Sequence, residues 1–267
     1  MNSISLLDQP IPPTASVGKV YLVGAGPGDP GLLTLKGKAL LEQADVVIYD
    51  ALVSLPILNM ISPQAERIDA GKQRGRHSVL QAETTQLLIE KAKTHAVVVR
   101  LKGSDSFFFG QGGEEMEDLV KAGISVEVVP GITARSGVLS GVDIPLTQRP
   151  YHSSVTWVTG QESVGKYRPQ VNWQALAHGS ETIVIYMGMP NLAHIVNELS
   201  MAGLKLETPV ALVRWRTCPE QETLFGTLKT IVDRAILTGF EAPAIVVIGQ
   251  VVNLHTVLDQ IHAATCV

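Results

Sequence analysis

Short runs of valine and isoleucine that do not alternate with polar residues set the first constraint on this chain. Lys19–Val23, Asp45–Tyr49, Ala96–Leu101 and Ser125–Val129 read as strands buried on both faces, as in a mostly parallel sheet. Helical stretches at Leu32–Gln43, Leu80–Lys93 and Glu114–Lys121 fall between them, and this strand–helix alternation predicts an α/β domain. The pattern breaks near Ile144–His152, where Pro145, Pro150 and several polar residues intervene. Beyond it, Ser154–Thr159, Thr182–Tyr186, Pro209–Arg214, Glu222–Phe225 and Ala244–Ile248 read as strands, with helices at Asn191–Met201 and Leu228–Leu237. The short turn between Pro209–Arg214 and Glu222–Phe225 calls for antiparallel pairing, so the second sheet is expected to be mixed. The expected organisation is therefore a flexible N-terminal extension over 1–17, an α/β domain over 18–146 and a second over 147–267. In a two-domain chain of this kind the expected ligand site is the cleft.

Composition narrows the function. At 267 residues, 45% hydrophobic and 17% charged, the chain is a folded one with enough material for a sizeable core. No apolar run reaches the roughly 18 residues needed to span a bilayer, and the polar, proline-containing start lacks the pattern of a secretory signal. The expectation is a cytoplasmic protein without a membrane partner. Cys218 and Cys266 are the two cysteines, too few for a disulfide framework or a cysteine-rich metal site, and no metal is expected. A net charge of −4 offers no general attraction to nucleic acid, so an anionic ligand must meet a local basic cluster.

The first strand runs straight into Gly24-Ala25-Gly26-Pro27-Gly28-Asp29-Pro30. A dinucleotide fingerprint would need glycine at position 29, and Pro27 and Pro30 remove two N–H donors that would cradle a pyrophosphate. A phosphate-binding P-loop is absent as well. Two more glycine loops, Gly103-Ser104-Asp105-Ser106 and Pro130-Gly131-Ile132-Thr133-Ala134, follow other strands of the same sheet. Loops at the carboxyl ends of parallel strands converge on one crevice, and their glycines read as backbone cleared for close approach of a ligand. A tight turn without ligand is the plainer alternative for any one of them.

These segments carry a resemblance. Val20-Tyr21-Leu22-Val23 with the loop that follows, Asp45–Val53, Gly71-Lys72-Gln73-Arg74-Gly75, Gly110-Gln111-Gly112-Gly113-Glu114-Glu115 and Val129-Pro130-Gly131-Ile132-Thr133 together resemble the tetrapyrrole methylases, specifically the uroporphyrinogen-III C-methyltransferases. Ile144-Pro145-Leu146-Thr147, Tyr186-Met187-Gly188, Pro219-Glu220-Gln221 and Ala242-Pro243-Ala244 extend it along the chain. The resemblance implies two α/β domains, a homodimer, and S-adenosyl-L-methionine as methyl donor, leaving S-adenosyl-L-homocysteine. It implies two successive methylations of uroporphyrinogen III to precorrin-2, on the route to sirohaem or cobalamin. By motif position it implies a cofactor site of Pro27, Gly103, Ser104, Asp105, Phe108, Thr133, Ala134, Met187, Arg216 and Ala244. Asp50 is the implied proton acceptor and Lys72 its partner donor. Arg74, Gln111, Glu114 and Arg149 are the implied substrate side.

The residues fit that chemistry, each with a plainer reading beside it. A sulfonium methyl is already an electrophile, so the protein needs neither metal nor covalent nucleophile. Its task is to bring a pyrrole carbon to about 3–3.5 Å from the methyl and to provide for the proton that carbon attack releases. Asp50 suits that base, though a turn or helix cap explains it too. Lys72-Gln73-Arg74-Gly75-Arg76-His77 is the densest basic stretch and suits a substrate with eight carboxylates, or it is a solvated loop. Glu114 also suits a helix N-terminus, and Met187 apolar packing.

Some positions depart from the family pattern. Gly103-Ser104-Asp105-Ser106-Phe107 stands where Gly-Gly-Asp-Pro-Phe is usual, Gln111 where arginine is usual, Gln148 and Gln161 where histidine is usual, and Arg216 where glycine is usual. A glutamine amide replaces a fixed charge at 111. The alternatives these changes raise are a methyltransferase for a later precorrin and a weakly active or inactive tetrapyrrole-binding relative. An rRNA methyltransferase of the same fold class would need a basic face that the net charge does not support.

Overall fold

The structure, a computed structural model, describes residues 18–71, 81–133, 142, 144–148, 154–160, 171–214 and 221–255. The chain divides into two compact units, Met1–Ala134 and Arg135–Val267.

The first unit carries β1 (Lys19–Gly24), β2 (Val46–Tyr49), β3 (Glu66–Asp69), β4 (Val97–Lys102) and β5 (Ser125–Val129) in the order β3-β2-β4-β1-β5. Every neighbouring pair is parallel, so all five strands point their carboxyl ends the same way. Both faces are covered, as the unbroken apolar runs require. On one face Val23, Val47 and Val99 pack with Leu41 of α1 (Leu35–Gln43) and Ile57 of α2 (Leu55–Leu58). On the other, Leu22, Ile48 and Val98 pack with Leu88 of α3 (Gln81–Ala92) and Leu119 of α4 (Gly112–Lys121). Each such fully buried leucine or isoleucine contributes about 2 kcal/mol.

Two expected boundaries move. The helix expected over Leu32–Gln43 is a 3₁₀ turn, Pro30–Leu32, followed by α1. Asp29 Oδ1 accepts from Gly31 N at 2.7 Å and Thr34 Oγ1 from Gly37 N at 3.1 Å, so each short piece carries its own side-chain cap. The helix expected to open at Glu114 starts at Gly112.

The second unit holds β6 (Val155–Thr159), β7 (Thr182–Tyr186), β8 (Pro209–Arg214), β9 (Glu222–Thr227) and β10 (Ala244–Ile248), ordered β6-β7-β10-β8-β9. β6 and β7 are parallel, whereas β7–β10, β10–β8 and β8–β9 are antiparallel, giving the mixed sheet. Its core joins Ile183, Leu212 and Val246 to Leu176 of α5 (Trp173–Gly179), Leu199 of α6 (Leu192–Met201) and Ile231 of α7 (Ile231–Thr238). The helix expected over Leu228–Leu237 starts at Ile231, because Thr230 N donates back to Thr227 O in a turn.

An ion triad at the amino end of β1 and β5 gives a pH prediction. Lys19 Nζ lies 2.5 Å from Glu127, and Lys36 Nζ also pairs with it. The hydrogen bond from Lys19, then that from Lys36, holds the Glu127 carboxyl below its ordinary 4.5. A depressed carboxyl stabilises the fold above its ordinary value and loses that contribution as pH falls through the folded one. Glu127→Gln is therefore expected to lower stability at pH 7 by less than about 1 kcal/mol, since the lysines are solvated. Urea melts should show the gap from wild type closing below pH 4.5; a gap constant with pH would refute it.

Candidate active site

Four loops meet at the carboxyl end of the parallel sheet. Gly26 and Ser104 form an isolated bridge, with N–H···O distances of 3.1 and 2.9 Å. Ala25 N donates to Lys102 O at 2.8 Å. Gly131 N donates to Asp105 Oδ2 at 3.0 Å, while Asp105 Oδ1 accepts from Phe107 N at 2.9 Å. Ser54 Oγ donates to Gly28 O at 2.5 Å, tying in the loop after β2.

The glycines here are spent on one another. A Cβ on Gly24 would stand 2.5 Å from Gly131 N and 2.7 Å from Ser104 O. One on Gly131 would stand 2.5 Å from Ser104 O, and one on Gly103 2.7 Å from the Leu52 Cβ. Glycine at these positions lets the backbones of neighbouring loops cross at contact distance. Asp105 likewise locks Gly131 and Phe107 in place.

The expected residues of the first unit fall together. Pro27, Gly103, Ser104, Asp105 and Thr133 lie on these loops, and Asp50 stands at the end of β2 with its N–H on Leu101 O at 3.2 Å. Phe108 follows on the same segment, edge-on to Phe109 at 5.1 Å between ring centres. Gln111 caps α4 with its side chain unused as a cap, and Glu114 is exposed in the first turn. In the second unit Met187 directly follows β7 and Ala244 opens β10. The register Val246↔Ile185 puts these two at one end of the sheet. Gly160 reaches the same end, its N–H on Tyr186 O at 2.6 Å. A cavity of about 1010 Å³ lies beside Asn172, Trp173, Asn191 and His194, and neither Met187 nor Ala244 lines it. Lys72, Arg74, Ala134, Arg149, Gln161 and Arg216 lie outside the described residues.

Backbone strain marks the same segments. Among the described residues, the non-glycine positions with positive φ are Ser104 (71°), Phe109 (53°), Gln111 (56°) and Met187 (53°). Three are expected site residues and the fourth adjoins one. Conformations of this kind cost about 1–3 kcal/mol each and persist where the surroundings enforce them, commonly at ligand sites. Ser104→Gly should accordingly stabilise the fold by about 0.5–1 kcal/mol, after allowing for glycine's extra unfolded-state freedom. Thermal melts check this, and a lowered midpoint would show that the serine hydroxyl outweighs the strain.

Sequence reasoning missed the charged core beneath this end. Arg100 and Lys102 of β4 are 3% exposed, and Glu115 of α4 is fully buried. Arg100 Nε donates to Glu115 Oε1 at 3.1 Å, and its Nη2 donates to Asp50 Oδ1. Lys102 Nζ lies 2.9 Å from Glu115 Oε2, and Gln81 Nε2 donates to Glu115 Oε1 at 2.6 Å. Burial, then the like charge of Arg100, pushes the Lys102 ammonium below its ordinary value, while Glu115 and Asp50 pull it back. The signal was present: two cations inside the Val97-Val98-Val99-Arg100-Leu101-Lys102 run of a doubly covered strand require buried anions. Ser106, standing where the family pattern has proline, is fully buried, and its Oγ has no partner among the described residues.

Comparison with known proteins matches the fold and the sequence. The sequence profile of the tetrapyrrole (corrin/porphyrin) methylases matches residues 19–232. A uroporphyrinogen-III C-methyltransferase of Synechocystis is 66% identical over 91% of this chain and 93% of its own. A sirohaem synthase of Thiobacillus denitrificans is 48% identical over 89% of this chain, which spans about half (49%) of that longer protein. Among solved structures, the uroporphyrin-III C-methyltransferase of Thermus thermophilus complexed with S-adenosylhomocysteine superposes with a TM-score of 0.76 at 37% identity, covering 89% of this chain and all of that one. With its parallel N-terminal sheet, mixed C-terminal sheet and glycine loops at the strand ends, the chain belongs to the tetrapyrrole methylases.

Proposed function

We propose that this chain is an S-adenosylmethionine-dependent methyltransferase that converts uroporphyrinogen III to precorrin-2 by two successive C-methylations. The observation that carries the reading is the match of the whole fold to a uroporphyrin-III C-methyltransferase complexed with S-adenosylhomocysteine, and among the described residues the non-glycine positions with positive φ are Ser104, Phe109, Gln111 and Met187. The 66% identity to a relative bearing that activity name supports the choice of acceptor.

The residues present fit the cofactor. Phe107, Phe109 and Ile132 leave apolar surface exposed at the loop tips of the first unit, and Met187 does so in the second. Ser104 and Met187 hold positive φ on the loops that carry these side chains. We assign Pro27, Gly103, Ser104, Asp105, Phe108, Thr133, Ala134, Met187, Arg216 and Ala244 to that site. When bound, the cofactor supplies an electrophilic methyl carbon on a sulfonium. The chain's work is to orient the pyrrole and manage its proton. Asp50 is the acceptor in this reading, with Lys72 as partner donor. Arg100 occupies one Asp50 oxygen, Oδ1, so Oδ2 is the atom assigned to the pyrrole N–H or the released proton. Arg74, Gln111, Glu114 and Arg149 are assigned to the substrate rim, where cations meet the carboxylates. The same reading makes the protein a cytoplasmic homodimer serving sirohaem or cobalamin synthesis. Among the described residues no helix is long and apolar enough to cross a membrane.

Two measurements test this. Calorimetry with S-adenosylhomocysteine is expected to show saturable binding, and none at high micromolar concentration would sink the methyltransferase reading. Incubation with S-adenosylmethionine and uroporphyrinogen III is expected to yield a dimethylated product. Cofactor binding without any methylated product would move the acceptor to a later precorrin.

A further inference from the structure

We propose that Glu115 is a positioning residue which, through Arg100, fixes the direction of the Asp50 carboxylate. The inference rests on the reading of Asp50 as the proton acceptor and concerns a residue that is itself fully buried. A guanidinium is a rigid planar fork, so fixing two of its edges fixes the third. In Arg100 the Nε edge is held by Glu115 Oε1 at 3.1 Å. Nη1 lies 3.4 Å from the carbonyl oxygens of both Ile48 and Leu101. With those two settled, Nη2 points at Asp50.

Glu115 is in turn held by hydrogen bonds at one oxygen and by charge at the other, which has no hydrogen-bond partner among the described residues. Gln81 of α3 donates to Oε1 at 2.6 Å, and Lys102 Nζ lies 2.9 Å from Oε2. The result is a chain of alternating charge: Lys102, Glu115, Arg100, Asp50. The first three members are buried, and Asp50 has a side chain that is 29% exposed. Removing the charge of Glu115 would leave Lys102 and Arg100 as like charges sharing one anion in a dry environment. Arg100 Nε would then meet at most a neutral amide oxygen in place of a carboxylate, so the anchor that turns Nη2 outward would weaken and Asp50 would lose its fixed partner. Misplacing a reacting group by about 1 Å is enough to cost on the order of a hundredfold in rate.

Glu115→Gln, which keeps the shape, and the double variant Glu115→Gln/Lys102→Met, which also removes the stranded cation, test the idea in the full chain. Both are expected to lower kcat by about 10- to 100-fold with the KM for S-adenosylmethionine within about twofold of wild type. The double variant is expected to melt closer to wild type than the single one. A readout independent of turnover is the nitrogen-15 NMR signature of the Arg100 side chain. Resolved, slowly rotating Nη resonances are expected in wild type, and they should collapse in both variants. Wild-type kcat in the double variant, or a rise in KM that accounts for the whole loss, would overturn the proposal. So would Nη resonances that stay resolved without Glu115. If wild type itself methylates no tetrapyrrole, the functional reading fails, and the NMR result alone then decides whether Glu115 orients Arg100.

Discussion

Gly131→Ala is expected to abolish cofactor binding while leaving most of the sheet intact. The new methyl would have to fit 2.5 Å from Ser104 O and 2.8 Å from both the carbonyl carbon and Cα of Gly24. Those atoms are backbone, and the loops carrying them are joined by the Gly26–Ser104 bridge and the Asp105–Gly131 bond. No rotamer change relieves the clash, so one loop must leave the cluster. Overpacking of this kind costs about 3 kcal/mol, or a fall of roughly 6–12 °C in midpoint for a chain of this size. Calorimetry with S-adenosylhomocysteine should show affinity weakened at least about a hundredfold, because the displaced loop carries Ser104 or Thr133. Gly113, whose Cβ position meets nothing within 4 Å, supplies the control: Gly113→Ala should leave binding unchanged and melt at or slightly above wild type, as it lies within α4. Tight binding by Gly131→Ala would show that the loop contacts are dispensable.

Arg100→Met is the second large effect, and here stability falls first. The guanidinium answers both Asp50 and Glu115. Its removal leaves Glu115 with Lys102 and Gln81, and Asp50 with no partner among the described residues. Breaking one member out of a buried ionic cluster typically costs about 3–5 kcal/mol, because an uncompensated charge stays in a dry environment. Urea titration should show that loss without a change in the slope m. The triple variant Arg100→Met/Glu115→Gln/Lys102→Met should recover part of the stability and none of the activity, since it also removes the buried Glu115–Lys102 pair. Equal stabilities of the single and triple variants would mean that the Glu115–Lys102 pair costs nothing without Arg100.

The strand assignments were legible because their residues declare burial on two faces. Thr182–Tyr186, Pro209–Arg214 and Ser125–Val129 form the strands expected of them. β3 was not legible: Glu66-Arg67-Ile68-Asp69 has one apolar residue, and only its pairing with β2, Ile68 beside Ile48, makes it a strand. α5 escaped notice for a similar reason, since the seven residues of Trp173–Gly179 bury one side chain, Leu176. At the site, Asp50 could be placed at a strand end from sequence. Its tie to Arg100 could not, because that contact joins two strands 50 positions apart. The glycine loops were recognised as a cluster, yet what occupies their missing side chains became visible only when the loops were seen against each other. The ligands of the basic stretch, Lys72 and Arg74, fall outside the described residues, so their part in the site stays a proposal tested by the substrate experiments above.

The order β3-β2-β4-β1-β5 has a consequence for how the chain is made. β1 is synthesised first, but its partners are β4 and β5, so Lys19 waits for Val97 and Ser125 before its ladder closes. β2 likewise needs β4 on its inner side. A nascent chain that ends before β4 therefore displays two apolar strands with an unfilled slot between them, a state open to pairing with other chains. Non-local closure of this kind is slow. β4 is thus the keystone of assembly: it seats the first two strands and, in the same step, buries Arg100 and Lys102. Until Glu115 arrives on α4, that core carries unbalanced positive charge, so the unit can become stable only after the residues that aim Asp50 have all been made.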